Sequence, residues 1–328
     1  MTNTTNVITG ANAIGTKKQR DYYYDNVKFF LIILVVATHT FSPVMGESWF
    51  LERLFYFIYT FHMPAFIIIC GHFMKYIKNL NKYVFKYTKY YVVMQTVYFI
   101  VMKYLLGQKM NLTYSMPYYT YWFMLSLVAW YVIFPYVKDI KWILLISILV
   151  GITVGYDRDF GLSMSLSRTV VYFPYFLLGY FLKRDHISTL KEIKWKYAIW
   201  ALCVLLVFVL LNYDLIPRPL LQGKSSYAMV GLDMWYAGAY RLTLYGISTL
   251  ISIGFFILIP EGEKFYSKLG SQTLYVYLAH GLILKILQYN GLYEIFSGIA
   301  LVFIGALLGL FLSISIFIIR SSYNKYKY

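Results

Sequence analysis

The segment DYYYDNVKFFLIILVVATHTF, residues 21–41, begins with charged and aromatic residues and then becomes almost wholly apolar. A helix that crosses the hydrocarbon core of a bilayer needs about 20 mostly apolar residues, so this segment predicts a transmembrane helix. It nevertheless contains Lys28 near one end and His39 deep in the apolar part. Ionisable side chains inside a bilayer are costly unless they are paired or hydrated, so both residues are candidates for a functional site.

Helical geometry places these two side chains on one face. The eleven residues from Lys28 to His39 turn a helix by about 1100°, which is about 20° from three full turns, and advance it by about 16 Å. Asp25 precedes Lys28 by three residues, a spacing at which a carboxylate and an ammonium group can pair on a helix. The segment therefore predicts a charged site at one mouth of a polar interior and an imidazole well inside it.

The composition extends the membrane prediction to the whole chain. Of its 328 residues, 60% are hydrophobic and only 13% are charged, which is about half the charged fraction of soluble domains. We therefore predict an all-α polytopic membrane protein with about ten transmembrane helices. The ten segments are 27–45, 50–74, 87–106, 117–137, 141–156, 168–183, 196–213, 238–260, 271–289 and 293–319.

The basic residues predict the orientation of these helices. A net charge of +16 would suggest a nucleic-acid partner in a soluble protein, but here the lysines lie in short loops between apolar segments. With ten spans, 21 of the 30 lysines and arginines fall on the side that holds both chain ends. Positive residues concentrate on the cytoplasmic side. We therefore expect cytoplasmic termini, a multi-pass location in the cell membrane, and no nucleic-acid partner.

The sequence predicts one domain. A transmembrane domain at 21–320 lies between a disordered cytoplasmic tail at 1–20 and a short cytoplasmic tail at 321–328. The sequence contains no glycine-rich cofactor fingerprint and no metal-ligand spacing such as CxxC or HExxH, so we expect neither a bound cofactor nor a metal. We expect the long loop at 212–241 to contain a short helix on the surface or to fold over the opening of a site.

Further histidines lie within the predicted spans. His62 and His280 are near mid-membrane, and Tyr277 shares a helix face with His280. Together with His39 they suggest a shared polar cavity. For His62 and His72 an alternative stays open, in which the ring simply bonds a neighbouring hydroxyl or carbonyl group.

The chemistry of such a cavity leaves two functions open. A buried histidine can act as a general base near neutral pH and take a proton from a hydroxyl that attacks an acyl group. Arg168, near the outer end of the sixth segment, can stabilise an oxyanion or hold a phosphate; alternatively it is a cation that reaches the membrane surface. The same residues would also suit a proton-coupled transport path.

The opening segment resembles the start of membrane acyltransferase family 3, whose members carry an arginine, ten residues and a histidine in the first membrane helix. Lys28 stands here where that arginine stands. The pattern D-N-x-K before an apolar run is similar to the branch related to fucose 4-O-acetylases. The stretches FHMPAFIIICGHF (61–73), SLSRTVVYFPYFLLGYFLKR (165–184) and SQTLYVYLAHGLIL (271–284) also resemble that branch.

The resemblance implies a ten-helix bacterial membrane O-acyltransferase. Its donor would be an acyl-coenzyme A, most simply acetyl-coenzyme A, and its acceptor a sugar hydroxyl of a cell-envelope polysaccharide or lipid-linked precursor. By position, His39 matches the catalytic histidine and Arg168 a motif arginine. Lys28 would bind the donor without the bidentate fork of arginine, and we place Asp25 beside it.

Three points stay open at this stage. His62, His280 and Tyr277 are expected to line the cavity without an assigned role. The acyl group is acetyl, succinyl or another. The alternatives to an enzyme are a polysaccharide exporter or flippase of the same family, and a non-catalytic subunit that acts with glycan-synthesis proteins.

Overall fold

The computed structural model describes residues 21–159, 163–197 and 216–326, together with residues 200, 201 and 204. In these ranges the chain forms helices and no β-strand, which confirms the predicted all-α class. The helices are α1 (Tyr22–Phe41), α2 (Trp49–Met74), α3 (Leu80–Ile100), α4 (Trp122–Val137), α5 (Ile143–Thr153), α6 (Leu166–Phe181), α7 (Arg184–Glu192), α8 (Arg218–Leu221), α9 (Gly238–Leu258), α10 (Ser267–Gly270), α11 (Thr273–Tyr289), α12 (Leu292–Ile295) and α13 (Gly298–Tyr326).

Several of these helices suit a membrane. Four helical stretches are long and apolar enough to cross one: Tyr22–Glu47, which continues α1 through a 3-10 turn, then α2, α9 and Gly298–Tyr323 of α13. Helices α4 and α5 are apolar but shorter. A membrane protein is thus supported, whereas the count of ten spans and the cytoplasmic termini stay predictions.

Two of the predicted segments lie mostly or wholly outside the residues that the structure describes. The predicted seventh span, 196–213, lies mostly outside them, and the predicted tail at 1–20 lies wholly outside them. At the other end, α13 continues to Tyr326, so the domain boundary predicted at residue 320 falls within a helix.

Helix α1 connects the two polar ends of the predicted site. It begins at Tyr22, and the preceding Asp21 caps it, because the Asp21 carboxylate accepts a hydrogen bond from the Tyr23 amide at 3.0 Å. The helix packs against α2, α10, α11 and α13, and the fully buried Ile32 and Val36 lie in its middle. Because four helices contact α1, its polar side chains have protein neighbours on several sides.

Helices α2 and α6 cross with their backbones in contact. A Cβ atom added at Gly71 or at Gly179 would overlap a backbone carbonyl of the other helix. Small residues at such a crossing let two membrane helices approach more closely than side chains would otherwise permit. The close crossing fixes the relative positions of the two helices, which carry His62 in the middle of α2 and Arg168 in the first turn of α6.

The loop that contains α8 is bound to the end of the bundle where α6 begins. Ser167 Oγ donates a hydrogen bond to the Gly223 carbonyl at 2.8 Å, and Arg241 Nη1 donates one to the Leu220 carbonyl at 2.9 Å. This is the end of the bundle opposite Lys28, and we call it the Arg168 end. The described part of the 212–241 loop therefore forms the predicted short helix and packs over the bundle.

Candidate active site

The first and eleventh helices join their histidines into a pair. His39 Nδ1 lies 3.1 Å from His280 Nε2, and the two rings are stacked with their centroids 5.3 Å apart. His280 is fully buried. The two histidines therefore meet, as the sequence suggested, but His280, which we expected in a cavity wall, lines neither of the two cavities next to this pair.

The hydrogen bonds of His280 determine which nitrogens carry protons. His280 Nδ1 lies 2.7 Å from the carbonyl oxygen of Tyr277 and 3.2 Å from that of Val276. Carbonyl oxygens only accept, so the proton of neutral His280 is on Nδ1 and its Nε2 accepts. His39 Nδ1 must then donate to His280. In neutral His39 this leaves Nε2 with a free lone pair, which is the arrangement of a general base.

A small cavity of about 30 Å³ lies beside His39, room for about one water molecule by volume. Two buried polar atoms of residues that line it, His62 Nε2 and Thr120 Oγ1, have no hydrogen-bond partner in the described part of the chain. His62 Nδ1 lies 2.8 Å from the Ile58 carbonyl, so its Nε2 is an acceptor as well. The cavity is lined by Val35, His39, Tyr59, His62, Met63, Thr120, Trp122, Arg168, Tyr172, Gln222 and Tyr277.

Arg168 contributes a positive charge to this small cavity. Its guanidinium stacks on the Trp122 ring at 4.8 Å from the ring centroid. Guanidinium groups stack readily on aromatic faces, and the contact holds the charge next to the space beside His39. The alternative of a cation that merely reaches the membrane surface does not describe this position, because the side chain lines an interior cavity.

A second, larger cavity of about 450 Å³ opens at the Lys28 end of the bundle. Lys28 Nζ lies 2.8 Å from Asp25 Oδ1, which confirms the predicted pairing of these two residues at the i, i+3 spacing. Lys86 and Arg320 also line this cavity. Three cations therefore line this cavity, one of them paired with Asp25, while much of its wall is aromatic.

The two cavities meet near the histidine pair. Val35, Met63 and Tyr277 line both of them. We expected one chamber shared by Lys28 and His39, but the structure divides that space in two. The division arises from the side chains of these three residues, which lie between the basic mouth and the imidazole.

Not every predicted residue belongs to the site. The ring of His72 stacks on Tyr24 with centroids 4.4 Å apart, and its Nδ1 lies 3.1 Å from the Leu182 carbonyl. His72 therefore fits the alternative of a ring that bonds its neighbours. Conversely, the sequence reasoning missed a set of residues that line the two cavities: Tyr59, Lys86, Thr120, Gln222 and Arg320.

Comparison with known proteins agrees with this arrangement at the level of a family. Neither curated proteins nor solved structures give a match to the chain. A family model described as "Acyltransferase domain" matches residues 21–318, which is nearly the whole chain. The chain therefore belongs to acyltransferase family 3.

Proposed function

We propose that the protein is an O-acyltransferase of the cytoplasmic membrane that moves an acetyl group from acetyl-coenzyme A to a sugar hydroxyl. The acceptor would be a cell-envelope polysaccharide or its lipid-linked precursor. The observation that carries the proposal is the position of His39. It lines the small polar cavity together with Val35, Met63 and Tyr277, the three residues that also line the large basic cavity.

The larger cavity suits the donor. Coenzyme A carries a diphosphate and a 3′-phosphate, and Lys28, Lys86 and Arg320 supply cations to receive them. The pantetheine arm is a slender chain, which the aromatic wall and the volume of about 450 Å³ can accommodate. With Lys28 at the cytoplasmic side, the thioester would be carried inward past Val35 toward His39.

The smaller cavity suits the acceptor hydroxyl. His62 Nε2 is a buried hydrogen-bond acceptor without a partner in the described part of the chain, and Thr120 Oγ1 is likewise unpartnered there. Other hydroxyls of the acceptor sugar can donate to the first and accept from the second, so that the proton of the reacting hydroxyl stays available to His39. Leaving such atoms unpaired costs about 1–3 kcal/mol each, so the cavity favours a polar ligand.

The reaction follows from the proton positions. His39 Nε2 takes the proton of the acceptor hydroxyl while its oxygen attacks the thioester carbon. The bond from that carbon to sulfur breaks, an ester forms, and His39 returns the proton to the departing thiolate. Arg168 is the nearby cation that can stabilise the oxyanion formed during the attack. His280 accepts from His39 Nδ1 throughout and holds the ring.

The test uses His39→Gln. Glutamine keeps an N–H group that can donate to His280 but cannot act as a base, so we expect the ester-linked acetate of the surface glycan to fall to the level of a deletion strain. His186→Gln is the matched control, because His186 lies on α7 and is exposed. Protein abundance in the membrane should be equal in both variants.

The same experiment separates the enzyme from its rivals. If the protein is an exporter, the deletion strain will lack the surface glycan itself. If it is an O-acyltransferase, the deletion strain will make a normal amount of glycan that lacks acetate. A non-catalytic subunit would tolerate His39→Gln. Normal acetate content in that variant would reject the role of His39 as base.

A further inference from the structure

Three cations lie together at the Arg168 end of the bundle. Arg168 stacks on Trp122, and the Arg218 guanidinium lies over the Phe55 ring at 4.5 Å from its centroid. Lys224 follows α8 in the same loop. All three side chains are half-buried rather than freely exposed to solvent.

The hydrogen bonds of the loop bring these charges close. The bond from Ser167 Oγ to the Gly223 carbonyl, at 2.8 Å, joins the residues next to Arg168 and Lys224. Burial, and then the charges of Arg168 and Arg218, lower the pKa of Lys224. Each of these two guanidinium groups is therefore near enough to Lys224 to disfavour the positive charge of its ammonium group.

No counter-ion balances this group within residues 21–159, 163–197 and 216–326. No carboxylate in these ranges forms an ion pair with any of the three cations. Other arginines of the protein do have partners: Arg158 Nη2 lies 2.7 Å from Asp233 Oδ2 in the same outer region. Holding three like charges together without an anion is unfavourable, so an anionic ligand would gain much of its binding energy here.

The cations are also next to the space beside His39. Arg168 lines the small cavity, and so does Gln222, which is two residues before Lys224. A sugar that placed a hydroxyl at His39 would therefore direct a substituent toward Arg218 and Lys224. The phosphates of coenzyme A have their own cations at the Lys28 end, on the far side of the histidine pair.

We propose that Arg168, Arg218 and Lys224 bind a phosphate group carried by the acceptor sugar, so that the preferred substrate is a sugar phosphate rather than a neutral glycan. This inference rests on the proposed function, because it takes the cavity beside His39 as the acceptor site. Arginine forks match the oxygens of a phosphate in bidentate fashion, and three cations suit a group with one or two negative charges.

Binding to the purified protein in a neutral polyoxyethylene detergent, which carries no sugar, tests the inference without requiring turnover. The probes are glucosyl dodecyl phosphate, its neutral analogue dodecyl glucoside, water-soluble glucose 1-phosphate, and dodecyl phosphate without a sugar. Calorimetry should show that both sugar phosphates bind and that the neutral glucoside binds at least tenfold more weakly. Affinity for the sugar phosphates should fall as salt is raised.

Variants then locate the site. We expect Arg218→Gln and Lys224→Gln each to weaken glucosyl dodecyl phosphate about tenfold, the usual effect of losing one charge-assisted hydrogen bond. Arg218→Lys should retain part of the affinity. Arg158→Gln, which removes a paired cation of the same region, should bind as the unaltered protein does. Acetyl-coenzyme A should bind all these variants equally.

Four results would overturn the inference: equal binding of the neutral glucoside, normal phosphate binding by Arg218→Gln and Lys224→Gln, loss of acetyl-coenzyme A binding in those variants, or equally tight binding of dodecyl phosphate. The last would make the cluster a lipid headgroup site. His39→Gln protein should still bind glucosyl dodecyl phosphate, so a failure of the proposed reaction and a failure of this site are distinguishable.

Discussion

His39 and His280 form a directed hydrogen bond between α1 and α11, with 3.1 Å between Nδ1 of the first and Nε2 of the second. The direction follows from the backbone, because two carbonyl oxygens of α11 hold the proton on His280 Nδ1. In the proposed reaction His280 is thus a positioning residue, which would fix the tautomer and the orientation of the base. A carboxylate in this place would add a buried negative charge, whereas a neutral ring adds none.

The first prediction concerns that tautomer. Nitrogen-15 NMR of the histidine-labelled protein in a bilayer should show His39 with a protonated Nδ1 and a bare Nε2, because His280 accepts from it. The chain has five histidines, so each signal can be assigned by single substitution. In His280→Leu the Nδ1 proton loses its acceptor, and we expect the Nε2-protonated form of His39 to become populated.

Activity should follow the tautomer. We expect His280→Leu to lower kcat for acetyl transfer by about tenfold or more, because part of the His39 population then carries its proton on Nε2 and cannot act as the base. His280→Gln offers an amide oxygen in place of Nε2 and should restore part of the rate. If His280→Leu shifts neither the NMR signals nor the pH dependence of kcat, His280 has no positioning role.

The second prediction concerns the donor end. Lys28→Met removes one cation of the larger cavity and keeps a long unbranched side chain. We therefore expect the KM for acetyl-coenzyme A to rise about tenfold with kcat little changed. Asp25 would then lose its ion pair with Lys28, whose Nζ lies 2.8 Å from Asp25 Oδ1. Lys89→Met, an exposed residue of α3 outside the cavity lining, is the control and should leave KM unchanged. A fall in kcat at constant KM would place Lys28 in the chemical step instead.

Local spacing allowed part of this site to be predicted from the sequence. Asp25 and Lys28 are one helical turn apart, so their pairing depends only on the geometry of α1. The same helix puts Lys28 and His39 on one face, but its geometry did not predict the division of the space between them into two cavities. That division depends on how the side chains of Val35 and Met63 pack, which helical spacing in the sequence does not predict.

The remaining features depend on long-range packing. His39 and His280 are 241 residues apart, and their approach requires α1 and α11 to be adjacent. The contribution of Gln222 to the cavity arises because the loop after α8 binds to α6, a contact without any periodic signal in the sequence. The close crossing of α2 and α6 was likewise not predicted, since Gly71 and Gly179 are unremarkable glycines in apolar segments.

That helix crossing gives the third prediction. In Gly179→Ala the new Cβ atom would overlap the backbone carbonyl of Ile68, so one helix must shift. Overpacking of this kind costs about 1–3 kcal/mol, and we expect a lower thermal midpoint in detergent, measured by size-exclusion chromatography after heating. Gly246→Ala is the control, because a Cβ atom there meets nothing within 4 Å. An unchanged midpoint for Gly179→Ala would mean that the crossing is looser than the structure shows.

The fourth prediction concerns pH and the contacts around the start of α7. Arg184 Nη2 lies 2.6 Å from Glu261 Oε1, and this hydrogen bond is the main reason that the pKa of Glu261 is lowered. A carboxylate with a lowered pKa stabilises the fold above its unfolded pKa of about 4.3 and loses that effect as pH falls through its folded pKa. Because the side chain of Glu261 is 50% exposed, solvent and salt screening limit the effect to about 0.5–1 kcal/mol.

Glu261→Gln should therefore lower the thermal midpoint slightly at pH 7 and at low salt, and the difference should disappear near pH 3. Glu263→Gln is the control, since Glu263 lies at 4.0 Å from Lys268 and is half exposed. A difference between Glu261→Gln and the unaltered protein that persists in acid would show that packing, not the charge of Glu261, stabilises this contact.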